Sequence, residues 1–174
     1  MQLLEDGKPE ESTMDFRRAI CRIIDANLNR ASEGLRVIED GVRFIFDDFS
    51  LTEELKKMRH SIVKVIKDIP DFNWEELISS RNSRKDVGAK LAEEKREKIK
   101  EVIRANFRRV EEAERSLEEF SKLLSPLLGE QFRKIRFQTY SLEKKIEMRL
   151  HKDCLLYTSP SPRDLSTSRM PSSA

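Results

Sequence analysis

Glycine is scarce, with five in 174 residues, and the aromatic set is nine Phe, two Tyr and one Trp. A many-stranded β protein draws on more turn glycines and aromatics than this, so the abundant Glu, Lys, Arg and Leu point to long helices. No apolar run approaches the roughly eighteen residues of a membrane span. The start, Met1-Gln2-Leu3-Leu4-Glu5-Asp6, has neither a basic beginning nor an apolar stretch, which argues against a secretory signal and for the cytoplasm. Cys21 and Cys154 cannot build a disulfide framework, and no CxxC or HExxH offers a metal site. GxxxxGKS/T, GxGxxG, HRD, DFG and GxSxG are absent too, so an enzyme of this sequence does not use a common nucleotide cradle. Charge of one sign is also missing: Lys+Arg number 34 and Asp+Glu 32, and the formal +2 exerts no net pull on nucleic acid or acidic lipid.

The length suits one well-filled domain, but the last segment reads differently from the rest. From Cys154 onward Ser, Thr and Pro make up about half the residues, a composition that favours disorder. The string Cys154-Leu155-Leu156-Tyr157-Thr158-Ser159 also resembles a translated sequencing adapter, since TGT-CTC-TTA-TAC-ACA-TCT encodes it in one frame. Ser168-Arg169-Met170-Pro171-Ser172-Ser173-Ala174 fits the far end of the same primer. The expected organisation is therefore a flexible leader over 1–14, a helical domain over 15–153 and an artefactual disordered tail over 154–174. A downstream domain could have been replaced by that tail.

Within 15–153 the apolar residues recur at helical spacings. Ser12 with Asp15 resembles a capping box, and Ile20, Ile23, Ile24, Leu28, Ala31, Leu35, Ile38, Val42 and Ile45 follow at three and four, predicting a helix over about 15–47. Ser50 with Glu53 suggests a second box, and Leu51, Leu55, Met58, Ile62, Val65 and Ile66 carry a helix over 51–69 until Pro70. Asn73 can cap a short third helix with Trp74, Leu77 and Ile78. A fourth is expected over 89–124, with Leu91, Ile99, Ile103, Val110, Leu117, Phe120 and Leu124 on its apolar face. Ser125-Pro126 breaks it as an N-cap followed by proline at the first helical position. A fifth, ending near Leu150, places Phe132, Ile135, Thr139, Leu142, Ile146 and Leu150 inward.

The first and fourth helices rhyme. Ala26-Asn27-Leu28-Asn29-Arg30 and Ala105-Asn106-Phe107-Arg108-Arg109 align at an offset of 79, with Glu33 on Glu112, Arg36 on Arg115 and Glu39 on Glu118. Asn is a poor interior helix former, so its recurrence needs a cause. The following helices rhyme as well, Leu55-Lys56-Lys57-Met58-Arg59-His60 against Phe132-Arg133-Lys134-Ile135-Arg136-Phe137. The expected fold is all-α: a bundle of about five helices built from a duplicated helical hairpin. Arg108 and Glu114 depart from the first copy, which suggests different tasks for the two halves.

At about 100° per residue, Asn27, Arg30, Gly34 and Gly41 share an arc beside the apolar stripe. Each glycine costs a helix up to about 1 kcal/mol against alanine, so something needs the space. A ligand in a groove or a close neighbouring helix would each explain it. Arg81, Arg84, Lys85 and Asp86 sit in a polar loop ending at Gly88, which could fold over phosphate with the carboxylate on magnesium, or do nothing. His60 is either a partly buried polar residue or a phosphate contact. Cys21, beside Ile20 and Ile24, reads as a buried thiol.

The run Asp25-Ala26-Asn27-Leu28-Asn29-Arg30-Ala31-Ser32-Glu33-Gly34-Leu35-Arg36-Val37-Ile38-Glu39-Asp40, with Arg43-Phe44, resembles the signature of a helical family found fused in front of thiamine-phosphate synthase. Met58-Arg59-His60, Arg81 with Asp86-Val87-Gly88, Ala105-Asn106-Phe107 to Arg115 and Lys134-Ile135-Arg136-Phe137 with Tyr140 and Leu142-Glu143-Lys144 extend it over about 16–144. The resemblance implies an alternative hydroxymethylpyrimidine-phosphate kinase of thiamine biosynthesis, which converts the monophosphate and ATP, with magnesium, into the pyrophosphate. It implies a partner too, a thiamine-phosphate synthase fused or separate.

Phosphoryl transfer asks chiefly for positioning, cations on the phosphates and magnesium on ATP oxygens. On this reading Arg30, Arg36, Arg109 and Arg115 act on phosphate and, with Glu33 and Glu112, form the catalytic set. Asn27, Asn106, Arg59, His60 and Arg81 bind the cofactor, and Glu39 and Asp86 hold magnesium. The competing readings are a non-catalytic helical domain that binds or regulates a synthase, and an RNA-binding bundle, which the near-neutral charge disfavours. No membrane association is expected.

Overall fold

A computed structural model describes residues 10–67, 74–82 and 95–158 of the chain. The described residues form five helices and no strands: α1 (Glu10–Ile45), α2 (Phe49–Lys67), α3 (Trp74–Ser80), α4 (Ile99–Ser121) and α5 (Pro126–Thr158). The all-α class expected from composition is the one observed. Asn73, Pro70, Leu91, the tail beyond Thr158 and the loop residues Arg84, Lys85, Asp86 and Gly88 lie outside the described residues.

The helix ends differ from the sequence expectation for identifiable reasons. The first helix starts at Glu10, so Ser12 falls inside it rather than capping it. Its stop is a left-handed Asp47 (φ 48°), a conformation that Asp tolerates better than most residues, and the Asp48 N–H reaches back to the Val42 carbonyl at 3.4 Å. Asp48, not Ser50, then caps α2: its Oδ1 accepts from the Leu51 N–H at 3.0 Å. Residues 95–97 are not helical, and α4 begins at Ile99, where the Glu101 carboxylate accepts from the Lys98 N–H at 3.4 Å. Ser125 does cap α5, its Oγ accepting from Leu128 N–H at 3.4 Å, with Pro126 at the first helical position. This last helix runs on to Thr158, past both Leu150 and the expected domain end.

The hairpins α1–α2 and α4–α5 pack against each other in the cyclic order α1, α4, α5, α2, and α3 docks on α1. Ile24, Leu35 and Ile38 meet Leu55, Ile62, Phe107, Leu117 and Phe132 in one shared core. The inward face expected for α5 is observed in full, and Cys21 is buried as expected. Phe120, Ile99 and Ile45, read as core positions, are exposed instead. Where α1 crosses α4, a Cβ on Gly34 would stand 2.7 Å from Val110 Cγ2 and 3.2 Å from the Asn106 carbonyl oxygen. A Cβ on Gly41 would lie 3.4 Å from Ile103 Cδ1, at ordinary contact. The space left by both glycines is therefore taken by α4, and the close-helix explanation replaces the ligand one at these two positions.

Candidate functional site

The two asparagines owe their place in the helix interior to their own backbone. Asn27 Nδ2 donates to the Ile23 carbonyl and Asn106 Nδ2 to the Val102 carbonyl, each at 2.8 Å, satisfying a polar side chain one turn back. With the amide nitrogen so occupied, Asn27 still lines a cavity of about 530 Å³ between α1 and α4. Its other walls are Arg30 and Glu33 from α1 and Arg109, Glu112, Ala113 and Ser116 from α4. Arg30 and Arg109, like Glu33 and Glu112, are related by the offset of 79, so the groups that rhyme in sequence converge in one hollow. Asn106 does not line it; the residue is buried at the Gly34 crossing.

A neighbouring cavity of about 540 Å³ continues the groove. It shares Asn27, Arg30 and Ser116, and adds Arg22 with the apolar Ala19, Ile23, Ala26 and Phe120. One stretch thus presents two guanidiniums and two carboxylates, the other an aromatic ring and methyl groups. That combination suits a flat heterocycle carrying an anionic group. Phe120 was missed as a site residue because its helical spacing places it beside the core stripe; at 36% exposure it belongs to the groove instead.

Several expected site residues are engaged elsewhere. Arg36 pairs with Glu39 and Asp40 at 3.3 Å each, and Arg59 Nε donates to Glu39 Oε2 at 3.0 Å. The equivalent set recurs in the second hairpin: Arg115 with Glu118 at 3.3 Å and Glu119 at 3.0 Å, and Arg136 Nε on Glu118 at 3.0 Å. Glu39 and Glu118 are 3% exposed and each is clamped between arginines. Burial alone would push the Glu118 carboxyl up, but hydrogen bonds from Arg136 and Lys122 outweigh it and hold the carboxyl below the usual range. Arg36 and Arg115 are spent on these pairs and do not join the cavity. Arg81 forms a two-pronged bond to Asp25, at 2.6 and 2.7 Å, that ties the end of α3 to α1. His60 and Arg59 line a separate groove between α1 and α2. Asp86 lies outside the described residues. No group of three or more His, Cys, Asp or Glu able to hold a metal is found among the described residues.

The second hairpin holds a feature that the first lacks. Glu114 is 0% exposed, accepts from Thr139 Oγ1 at 2.8 Å, and its Oε2 has no partner. Nearby Glu111 is pushed up to about 7, first by burial and then by a hydrogen-bonded Glu143.

A family model described as the ThiD2 family matches residues 22–145, which includes α1 from Arg22, all of α4 and every residue of the groove but Ala19. The chain belongs to the ThiD2 family. Among curated relatives, this family member is 39% identical over 142 residues to a thiamine-phosphate synthase of Nostoc punctiforme, covering 80% of this chain and 38% of the relative. It is 38% identical over 154 residues to the thiamine-phosphate synthase of a Synechocystis species, covering 84% of this chain and 43% of the relative. The thiamine-phosphate synthase of Rhodopirellula baltica is 38% identical over 136 residues, 76% of this chain and 36% of the relative. The chain thus spans about two fifths of the length of the curated relatives it matches. No solved structure matches it. No helix among the described residues is long and apolar enough to cross a membrane.

Proposed function

We propose that the chain serves thiamine biosynthesis as a kinase that transfers the γ-phosphoryl group of ATP to hydroxymethylpyrimidine phosphate, in the groove between α1 and α4. The observation that carries this reading is the convergence of Arg30 and Arg109, from two helices, in one cavity that continues into an apolar stretch ending at Phe120. The pyrimidine ring lies against Phe120, Ile23 and Ala26, and its phosphate faces the two guanidiniums. An oxygen of that phosphate attacks the γ-phosphorus, the bond to the β-phosphate oxygen breaks, and ADP leaves. The attacking oxygen is already ionised, so no strong base is required. Glu33 and Glu112 would hold a magnesium ion brought by the nucleotide, which would supply charge neutralisation on the phosphates and needs only one or two protein carboxylates.

The relatives' names favour a second reading, in which this helical domain binds or regulates a thiamine-phosphate synthase without catalysis of its own. A coupled ADP-release assay separates the two. The kinase reading expects ADP release that needs both ATP and the pyrimidine monophosphate. Arg30→Ala or Arg109→Ala is expected to lower turnover about 100-fold with the far-UV helical signal intact. Normal kinetics in both variants would discard the site, and no ADP from the unaltered protein would favour the binding role.

A further inference from the structure

Four basic residues on one face of α2 remain outside the α1–α4 groove. Arg59, His60, Lys64 and Lys67 line a cavity of about 450 Å³ against α1, floored by Ser32 and Val63. From Arg59 to Lys67 the helix rises about 12 Å at 1.5 Å per residue, so the cations Arg59, Lys64 and Lys67 form a row rather than a point. Arg59 is fixed at one end by its bond to Glu39. Lys67 at the other end lies 6.0 Å from the centre of the Trp74 ring. Among the described residues Glu39 is the one carboxylate bonded to this row, and Ser32 offers a small hydroxyl where a larger side chain would fill the floor.

The second hairpin supplies an internal comparison. At the corresponding positions, 79 residues on in α4 and 77 on in α5, Ser32 becomes Glu111, His60 becomes Phe137, Val63 becomes Tyr140 and Lys64 becomes Ser141, while Lys67 is kept as Lys144. The arginine is kept as Arg136, but its NH1 donates to the Tyr140 hydroxyl at 2.8 Å and its NH2 to Glu118 at 2.7 Å. Phe137 and Tyr140 stand edge to face with centroids 5.9 Å apart, and the guanidinium lies 5.3 and 5.5 Å from their centres. The arginine–glutamate pair is therefore common to both halves and explains nothing about the cations. What differs is that one half fills the adjoining surface with aromatic rings and a carboxylate, and the other leaves it open, cationic and floored by serine. A frame that needs only the ion pair does not need His60 and Lys64.

We propose that this α1–α2 groove is a polyphosphate-binding site, distinct from the α1–α4 cavity, which holds a linked phosphate chain that takes no part in the transfer there. Binding of a polyphosphate here does not depend on the kinase reading above. A row of cations about two helical turns long matches several linked phosphoryl groups better than one, since a single phosphate is satisfied by one guanidinium and one neighbour.

The test is titration calorimetry of the full chain with tripolyphosphate, MgATP and inorganic phosphate. The unaltered protein is expected to bind tripolyphosphate and MgATP at least about tenfold more tightly than phosphate. Lys64→Glu with Lys67→Glu is expected to weaken both by at least about tenfold, because like charges now line the row. The milder Lys64→Gln with Lys67→Gln should do the same to a smaller degree, which covers a reversal variant that fails to fold. Lys144→Glu, at the corresponding place in the second hairpin, should leave both affinities unchanged. Affinity within twofold of normal in the glutamine variant overturns the site, as does equal weakening by Lys144→Glu. Tripolyphosphate binding lost in the lysine variants, from a protein that releases no ADP, would keep this site while discarding the kinase reading. ADP release with unchanged affinity in those variants would do the reverse.

Discussion

Thr139 Oγ1 donates to Glu114 Oε1 at 2.8 Å inside the α4–α5 interface, at a point where the first hairpin has Leu35 against Ile62 at the corresponding offsets. A carboxyl there has left water. Burial is the main force on it and pushes Glu114 up to about 8; the Thr139 hydrogen bond opposes, the Glu111 charge adds, and Arg136 opposes again. At neutral pH the group is mostly the uncharged acid. The Thr139 hydroxyl also lies 3.3 Å from the Ile135 carbonyl, and one proton cannot serve two acceptors fully. A protonated Glu114 can donate into Thr139 Oγ1 and free that hydroxyl for Ile135.

The pH dependence of stability follows from the sign. A carboxyl whose folded value lies above its ordinary 4.5 binds more proton in the folded state between the two values, so stability falls as pH rises from about 4.5 to about 8 and levels off beyond. Glu111, raised to about 7, adds to the same slope in its lower part. Thermal unfolding followed by circular dichroism is expected to give a Tm that declines across this window. Glu114→Gln keeps an acceptor for Thr139 and should flatten most of the decline. A wild-type Tm that rises between about pH 5 and 8 would contradict the neutral acid.

Glu39 gives a contrasting case, since its carboxylate accepts from Arg36 at 3.3 Å and from Arg59 at 3.0 Å. Replacing it with Gln leaves two guanidiniums, 49% and 24% exposed, facing a neutral amide, at a cost of about 1 kcal/mol once solvent screening of the exposed arginines is counted. The urea midpoint is expected to fall accordingly. The magnesium concentration for half-maximal ADP release should not move, because both carboxylate oxygens of Glu39 already accept from arginines. A shifted magnesium dependence at an unchanged midpoint would restore the metal role expected from the sequence.

What the sequence revealed and concealed divides along physical lines. The buried stripes of α1, α2 and α5 were legible because burial follows the 3.6-residue period, and each of Phe132, Ile135, Thr139, Leu142, Ile146 and Leu150 is inside. Caps were less legible: Asp47, Asp48 and Ser50 are all plausible acceptors, and only the left-handed turn at Asp47 decides among them. The site was half legible. Arg30, Glu33, Arg109 and Glu112 do share a cavity, as the repeated motif suggested, but the same motif contributes Arg36, Arg115 and Glu39 to ion pairs on another face. A helical motif marks residues of both kinds with one spacing. Glu114 carried a readable signal, since it stands four after Val110 and three before Leu117, on the apolar stripe itself.

The two α1 glycines are expected to respond oppositely to alanine. At Gly34 the new methyl meets Val110 Cγ2 at 2.7 Å with the Asn106 backbone at 3.2 Å on the other side, so overpacking of about 1–3 kcal/mol exceeds the gain of about 1 kcal/mol in helix propensity. Gly41→Ala meets only the flexible end of Ile103 at 3.4 Å and should be neutral or stabilising by up to about 1 kcal/mol. Urea unfolding of the two variants checks the difference. Val110→Ala added to Gly34→Ala should recover part of the loss, and non-recovery would show that the Asn106 carbonyl, not Val110, sets the limit.

Cys21 makes the docking of α3 measurable. The thiol is 0% exposed and its pKa is raised to about 11, by burial first and then by the Glu76 charge, with Arg17 opposing. Glu76 sits on α3 and is itself gripped by Arg17 Nε and NH2 at 2.6 and 3.0 Å. Arg81 secures the other end of this seven-residue helix through its fork on Asp25, which is 4% exposed. So short a helix has little stability of its own, and its docking depends on Leu77 and these two ion pairs. In a Cys154→Ser background, Cys21 should react with an aromatic disulfide reagent only through opening of α3. Arg81→Ala leaves the Asp25 carboxylate buried without its fork and should speed labelling about tenfold, with a much smaller change in global Tm. Arg81→Lys should not restore the slow rate, since one ammonium cannot replace two parallel N–H donors. Labelling that tracks global unfolding in every variant would show instead that α3 and the bundle open together.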